Sequence, residues 1–201
     1  MCKSICGILL LAGTWVITAV NVWAQESAAP KPGSFLEVAV TYDALYSNVV
    51  TGEQFWMQGG GVQLHGQFWR GLGVVADVAG LHTAKINGST AGLDTVGLDL
   101  VTATFGPRYS WSLRRSRFVF FGQALAGEAN GINSTFPGAG AAESTANSLA
   151  LQLGGGATVQ WKHHIAVRAF EADWLRTQLP NSTTNVQNNL RIGAGIVWRV
   201  K

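Results

Sequence analysis

The stretch "VTATFGPRYSWSLRRSRFVFF", Val101 to Phe121, holds the two features that decide the fold. Its first half alternates. Val101, Ala103, Phe105, Pro107, Tyr109 and Trp111 share one face, and Thr102, Thr104, Gly106, Arg108 and Ser110 share the other. A period of two marks a strand whose faces meet different surroundings. The alternation stops at Trp111, three arginines follow at 114, 115 and 117, and bulky apolar residues resume at Phe118. That order suits a strand that leaves lipid, turns in water and re-enters, because aromatic rings settle at the membrane–water boundary.

The same alternation recurs along the chain. Leu36, Val38, Val40 and Tyr42 oppose Glu37, Thr41 and Asp43; Val62, Leu64 and Phe68 oppose Gln63, His65 and Gln67. Leu72, Val74, Ala76 and Val78 oppose a face with Asp77; Leu149, Leu151, Leu153, Ala157, Val159 and Trp161 oppose Ser148, Gln152, Thr158 and Gln160. Leu190, Ile192, Ala194, Ile196, Trp198 and Val200 oppose Arg191 and Arg199. In 165–174 the pattern holds if one extra residue near Ala169 forms a bulge, so that Arg168, Glu171 and Asp173 share a face. Residues 117–127 are apolar on both faces. Val119, Phe121 and Leu125 make the best outward set, but it also includes Gln123, so the register stays open.

Eight strands result, and their connections alternate in length. Those at 69–71, 112–116 and 162–163 are short; those at 45–54, 83–95, 128–147 and 175–187 are long. Trp69, Trp111 and Trp161 each precede a short turn, and Trp198 lies at the same end of the last strand. Together they are expected to form an aromatic girdle at one membrane interface, with Tyr42, Tyr46, Trp56 and Trp174 towards the other. Arg70, Arg114, Arg115, Arg117 and Lys162 fall just outside the first girdle. A soluble sandwich buries one face of each strand equally well, yet gives no reason for Trp to collect at one end of four strands.

The N-terminus carries Lys3, an apolar run from Ile5 to Val22 and then Val22-Trp23-Ala24, which reads as a cleavable signal peptide over 1–24. Residues 25–33 are expected to be a flexible leader and 34–201 the barrel. Both cysteines, Cys2 and Cys6, leave with the peptide, so no disulfide or thiolate chemistry is expected. Charged residues are only 12% of the chain, about half the ~25% usual for soluble domains. The small basic excess is no argument for nucleic acid.

The signal peptide, "GPRYS" (106–110) running into a cationic turn, "RAFEADW" (168–174) and the closing "GAGIVWRVK" (193–201) resemble the small eight-stranded outer-membrane barrels of the OmpA-like group. The resemblance covers about 34–201. It implies an all-β, antiparallel up-and-down transmembrane barrel in a bacterial outer membrane, with both termini periplasmic and the long loops extracellular. It also implies contact with outer-membrane lipid and handling by the barrel assembly machinery. Such barrels commonly close on an aromatic residue; here Trp198 is the last, and three residues follow it.

Eight strands enclose an interior just wide enough for side chains to fill. The inward face holds Glu37, Asp43, Asp77, Arg108, Arg168, Glu171, Asp173, Arg191 and Arg199. Pairing of the first and last strands is expected to bring Asp43 near Arg191 and Glu37 near Arg199, with Arg168 lower, towards that second pair. Isolated charges in a narrow lumen are costly, so a paired electrostatic plug is expected. The expected role is structural or surface-interacting and non-catalytic, with no cofactor and no metal, the longest loop, 128–147, carrying external contact. The alternatives are a secreted lipocalin-like barrel with an apolar ligand, a narrow ion pore, and an outer-membrane lipid-modifying enzyme. The enzyme reading has only His82 with Ser47, Asp94 and Glu143 in nearby loops. His163 and His164 are adjacent, a poor chelating geometry. Asn87, Asn133 and Asn181 open Asn-x-Ser/Thr triplets in proposed loops, where Asn and Ser serve as turn formers.

Overall fold

A computed structural model describes residues 35–49, 54–86, 96–113, 116–137, 142–181 and 184–200. The expected signal peptide and leader lie outside the described residues, as do Asn87, Asp94, Arg114 and Arg115. Eight strands follow one another: β1 (Phe35–Ser47), β2 (Phe55–Trp69), β3 (Leu72–Ile86), β4 (Val96–Ser112), β5 (Phe118–Pro137), β6 (Ala142–Lys162), β7 (Ile165–Thr177) and β8 (Gln187–Val200). Each pairs antiparallel with its sequence neighbours, and β8 pairs with β1 to close the barrel.

The closure is staggered. Leu36 of β1 faces Gly66, Gly66 faces Val74, and Val74 faces Pro107. Across the β4–β5 seam, where Phe105 faces Ala126 and Arg108 faces Gln123, the path reaches Ala124. Ala124 faces Leu153, then come Trp174, Leu190 and Tyr46. One circuit thus returns to β1 ten residues further up, a stagger that goes with strands tilted by ~35–45°.

Alternation sorts the two faces. Val40, Val62, Leu64, Val78, Phe105, Leu153, Phe170 and Ile196 are exposed on the outer wall, while Thr41, Gln63, Asp77, Thr104, Gln152 and Arg191 are buried inside. An apolar exterior round a polar interior is the arrangement lipid selects. The irregularity expected near Ala169 is present: the β7–β8 register shifts between Arg168 and Glu171, which turns both side chains into the lumen.

The short turns lie at one end. Arg70 and Gly71 link β2 to β3 with φ of 37° and 92°, the left-handed pair of a type I′ hairpin. A Cβ on Gly71 would collide with the Ser110 carbonyl oxygen, so glycine is required there on two counts.

Two expectations need correction. The segment 128–147 is not a long loop, because β5 runs to Pro137 and β6 begins at Ala142, leaving 138–141 between them. Asn133 accordingly lies in β5, at a left-handed φ of 57° beside an irregularity in the β5–β6 register. The second concerns the open register of β5. Phe121 and Leu125 point inward with Gln123 and are buried. The outer side of this stretch is made instead by Phe120, Gly122, Ala124 and Ala126, which face Ala157, Gly155, Leu153 and Leu151 of β6.

Candidate functional site: the lumen and its two rims

All nine charged residues assigned to the interior point into the lumen, stacked in tiers from the short-turn end. At the base, Arg199 donates to Glu37 Oε1 from Nε at 2.9 Å and from Nη2 at 2.5 Å. Glu37 Oε2 lies 3.1 Å from His65 Nδ1. The β1–β8 register sets Glu37 directly opposite Arg199, as the expected closure requires.

The next tier contains two arginines on one aromatic ring. The guanidinium carbons of Arg108 and Arg168 lie 4.4 Å and 4.7 Å from the centroid of Phe121. Both cations also converge on the carbonyl oxygen of Gln63, Arg108 Nη2 at 2.6 Å. Arg168 Nη1 donates to Glu171 Oε2 at 2.7 Å. Arg168 is therefore tied to Glu171, Gln63 and Phe121 rather than to the basal Glu37–Arg199 pair.

Glutamines separate the charges above. Gln63 Nε2 donates to Glu171 at 2.7 Å and to Asp77 at 3.3 Å. Gln123 accepts from Arg108 Nε at 3.0 Å and donates to Glu171 at 2.8 Å and Asp173 at 3.0 Å. Gln152 donates to Asp77 and Asp173, both at 3.1 Å, and accepts from Thr104 at 3.3 Å. A neutral amide that accepts from a cation and donates to an anion satisfies both without adding charge. The sequence placed Gln63 and Gln152 on the inward face, but nothing in it marks them as bridges, and Gln123 sat in the unreadable segment.

Arg191 completes the polar core. Its Nη2 pairs with Asp77, lies 3.2 Å from Asp173 and 3.7 Å from Glu171. Asp43 lies near enough to feel the Arg191 charge, as expected, but the direct ion pairs of Arg191 go to other acids. Asp43 faces Gly193 in the β1–β8 register, and Leu45 faces Arg191. The Asp43 carboxylate turns to the Thr41 hydroxyl at 3.1 Å. It lies flat against the wall because Gly61 and Gly193 flank it; a Cβ on either would meet its oxygens.

Above the polar core the lumen changes character. Leu45, Met57, Leu81, Leu98, Leu100, Ala129, Ala150, Leu175, Leu179, Val49 and Phe136 form one buried apolar cluster at the loop end. Gln187 holds Leu179 in place there, accepting from the Leu179 amide at 2.9 Å and donating to the Leu179 carbonyl at 2.8 Å. Ser47 Oγ donates to Asn189 at 2.9 Å, tying β1 to β8 at this mouth. The interior is thus a hydrogen-bonded polar core beneath an apolar cap.

On the outer wall, Trp69, Trp111, Trp161 and Trp198 are all exposed, at the short-turn ends of β2, β4 and β6 and of β8. Tyr109, Trp111 and Phe120 stack in series with centroids 6.1 Å apart. At the opposite rim Tyr46 packs on Trp56 at 5.1 Å, and Tyr42 donates to Gln58 at 2.8 Å.

His82 is hydrogen-bonded to Asp99, whose other oxygen accepts from Asn133. Ser47 is buried on the inner face and engaged with Asn189. Glu143 is exposed on β6, and Asp94 lies outside the described residues. His163 and His164 are exposed in the β6–β7 turn, and among the described residues no group of three or more His, Cys, Asp or Glu could hold a metal ion.

No family model matches the chain, and no curated protein sequence does. Solved structures do match in fold. Ail, the attachment invasion locus protein of Yersinia pestis, in complex with sucrose octasulfate, superposes with a TM-score of 0.54 at 14% identity, covering 84% of this chain and 99% of that one. Neisserial surface protein A gives 0.59 at 11% identity, covering 83% and 98%. The outer membrane protein OprG of Pseudomonas aeruginosa gives 0.54 at 9% identity, covering 84% and 97%. The eight-strand antiparallel closure and these superpositions agree: the chain has the fold of the small outer-membrane β-barrels.

Proposed function

We propose that the protein is a non-catalytic outer-membrane barrel with a sealed lumen, which acts through the surface it presents outside the cell. The carrying observation is the interior itself: a polar core bridged by Gln63, Gln123, Gln152 and Arg191, closed above by the apolar cluster around Leu98 and Leu175. Such a filling supports neither steady conduction nor a stored apolar ligand. A lipocalin-like barrel needs the opposite polarity, with the greasy face inside.

The contact surface in this reading is the β5–β6 hairpin. β4 last pairs with β5 at Ile132, and β7 last pairs with β6 at Ala150, yet the two strands continue to Pro137 and back from Ala142. The hairpin therefore rises beyond its neighbours on a rigid base, a common place for recognition. Ail is described as an attachment protein and was crystallised with a heparin analogue. A polyanion is not the partner favoured for this rim, where the exposed acids Glu128 and Glu143 and the half-exposed Asp99 outweigh Arg176 among the described residues.

The test has two arms. Purified protein in planar bilayers gives no large steady conductance, and an epitope tag inserted within 138–141 binds antibody on intact cells. A stable ohmic channel overturns the sealed lumen; a tag reached only after the outer membrane is opened overturns the orientation.

A further inference from the structure

We infer that the short-turn end of the barrel is a binding surface for the headgroups of anionic phospholipids. The inference rests on the membrane reading above and adds to it a lipid preference confined to one rim.

Among the described side chains the two rims carry opposite net charge, the loop end with Arg176 against three acids. Described acids exposed or half-exposed on the outer surface are Asp99, Glu128 and Glu143, all towards the loop end. At the short-turn end, Arg70 and Lys162 are exposed, and Arg117 is half-buried. The one described acid there, Glu37, turns inward and is held by Arg199 and His65. Among the described residues, Arg70 and Lys162 therefore face no carboxylate on the outer surface of that rim.

Their depth names the partner. Arg70 follows Trp69 and Lys162 follows Trp161, and both rings are more than 60% exposed. An indole at the hydrocarbon boundary places the next residue out at the height of the lipid phosphates. Arg70 is held there by the left-handed hairpin, and Lys162 by its pairing with Ile165 across the His163–His164 turn. A cation so placed attracts anionic lipid by about 1 kcal/mol, equivalent to ~5-fold in association. A soluble polyanion lacks the acyl chains that would bring it against the tryptophans, so the membrane lipid itself is the occupant.

The test uses tryptophan quenching in the exported, folded chain. With Trp56 and Trp174 replaced by phenylalanine, emission reports the lower ring of Trp69, Trp111, Trp161 and Trp198. Vesicles mixing phosphatidylcholine with brominated phosphatidylglycerol, compared with brominated phosphatidylcholine, give the relative association constant at that ring. The expected result is a several-fold preference for phosphatidylglycerol, reduced towards one by 1 M NaCl and by Arg70→Asn with Lys162→Gln. Asparagine keeps the left-handed turn, so that variant folds. A complementary chain keeping only Trp56 and Trp174 shows no such preference. Equal association of the two lipids in the parent, a preference that survives in the double variant, or one of equal size at the upper rim overturns the inference. Loss of the preference while brominated phosphatidylcholine still quenches leaves the membrane reading intact; absence of quenching by either lipid removes both.

Discussion

Arg191 on β8 and Asp77 on β3 are ion-paired across the lumen, with β1 and β2 between their strands. The same guanidinium serves Asp173, so one cation holds acids from two other walls of the barrel. Arg191→Ala leaves those carboxylates buried without their counter-charge and should cost roughly 3–5 kcal/mol. In urea unfolding from vesicles, Asp77→Ala with Arg191→Ala should recover part of the summed loss, a coupling of ~0.5–3 kcal/mol. Asp43→Ala should couple to Arg191→Ala more weakly, because Asp43 is bonded to Thr41. Equal coupling for the two acids would contradict the pairing described.

Gln63 bears on four charged partners at once. Gln63→Leu removes an acceptor shared by Arg108 and Arg168 and a donor shared by Asp77 and Glu171. Each buried group left unsatisfied costs about 1–3 kcal/mol, more when charged. The variant should lose more stability than Thr104→Val, which removes a single 3.3 Å hydrogen bond. Equilibrium unfolding of both in the same lipid decides the order.

Phe121→Leu tests the stacked arginines. The change keeps an apolar side chain but removes the π face beneath two guanidinium groups. A loss of roughly 2 kcal/mol is expected for desolvated cation–π contacts. A loss no larger than for Leu125→Ile would mean that the ring acts only as filler.

Depth in the membrane should govern the cost of a charge on the outer wall. Leu153→Arg falls in the apolar band and should cost ~2–4 kcal/mol of folding into lipid. Asn147→Arg, six residues nearer the loop end of β6, should cost about 0–1. Similar costs at both positions would argue against a bilayer around this wall.

The strands were legible where lipid presses on them. From Val101 to Trp111 the outer face is apolar and the inner face polar, and period two follows. Beyond the band the sense of the pattern inverts. Gln58, His82, Asp99 and Asn147 face water outside, while Met57, Leu81, Leu98 and Ala150 pack inside. The alternation continues, but with polar residues out it resembled loop, so the upper halves of β5 and β6 and the apolar cap were not read. The register of Phe118–Phe121 was hidden for a different reason: one side meets lipid and the other two arginines, and both select aromatic rings. Charges could be assigned to the lumen by parity alone. Their partners could not, because long side chains reach across the barrel to strands that are not neighbours.

The basal contact between Glu37 and Arg199 joins residues near the two extremes of the folded chain. The β1–β8 pairing spans the greatest sequence separation in the wall, so its loop-closure cost is the highest of any seam. With that seam open, β1 and β8 would be two bare margins, each able to recruit a foreign strand. The closure that links Glu37 to Arg199 therefore withdraws both margins, and the finished wall offers no edge to a foreign strand.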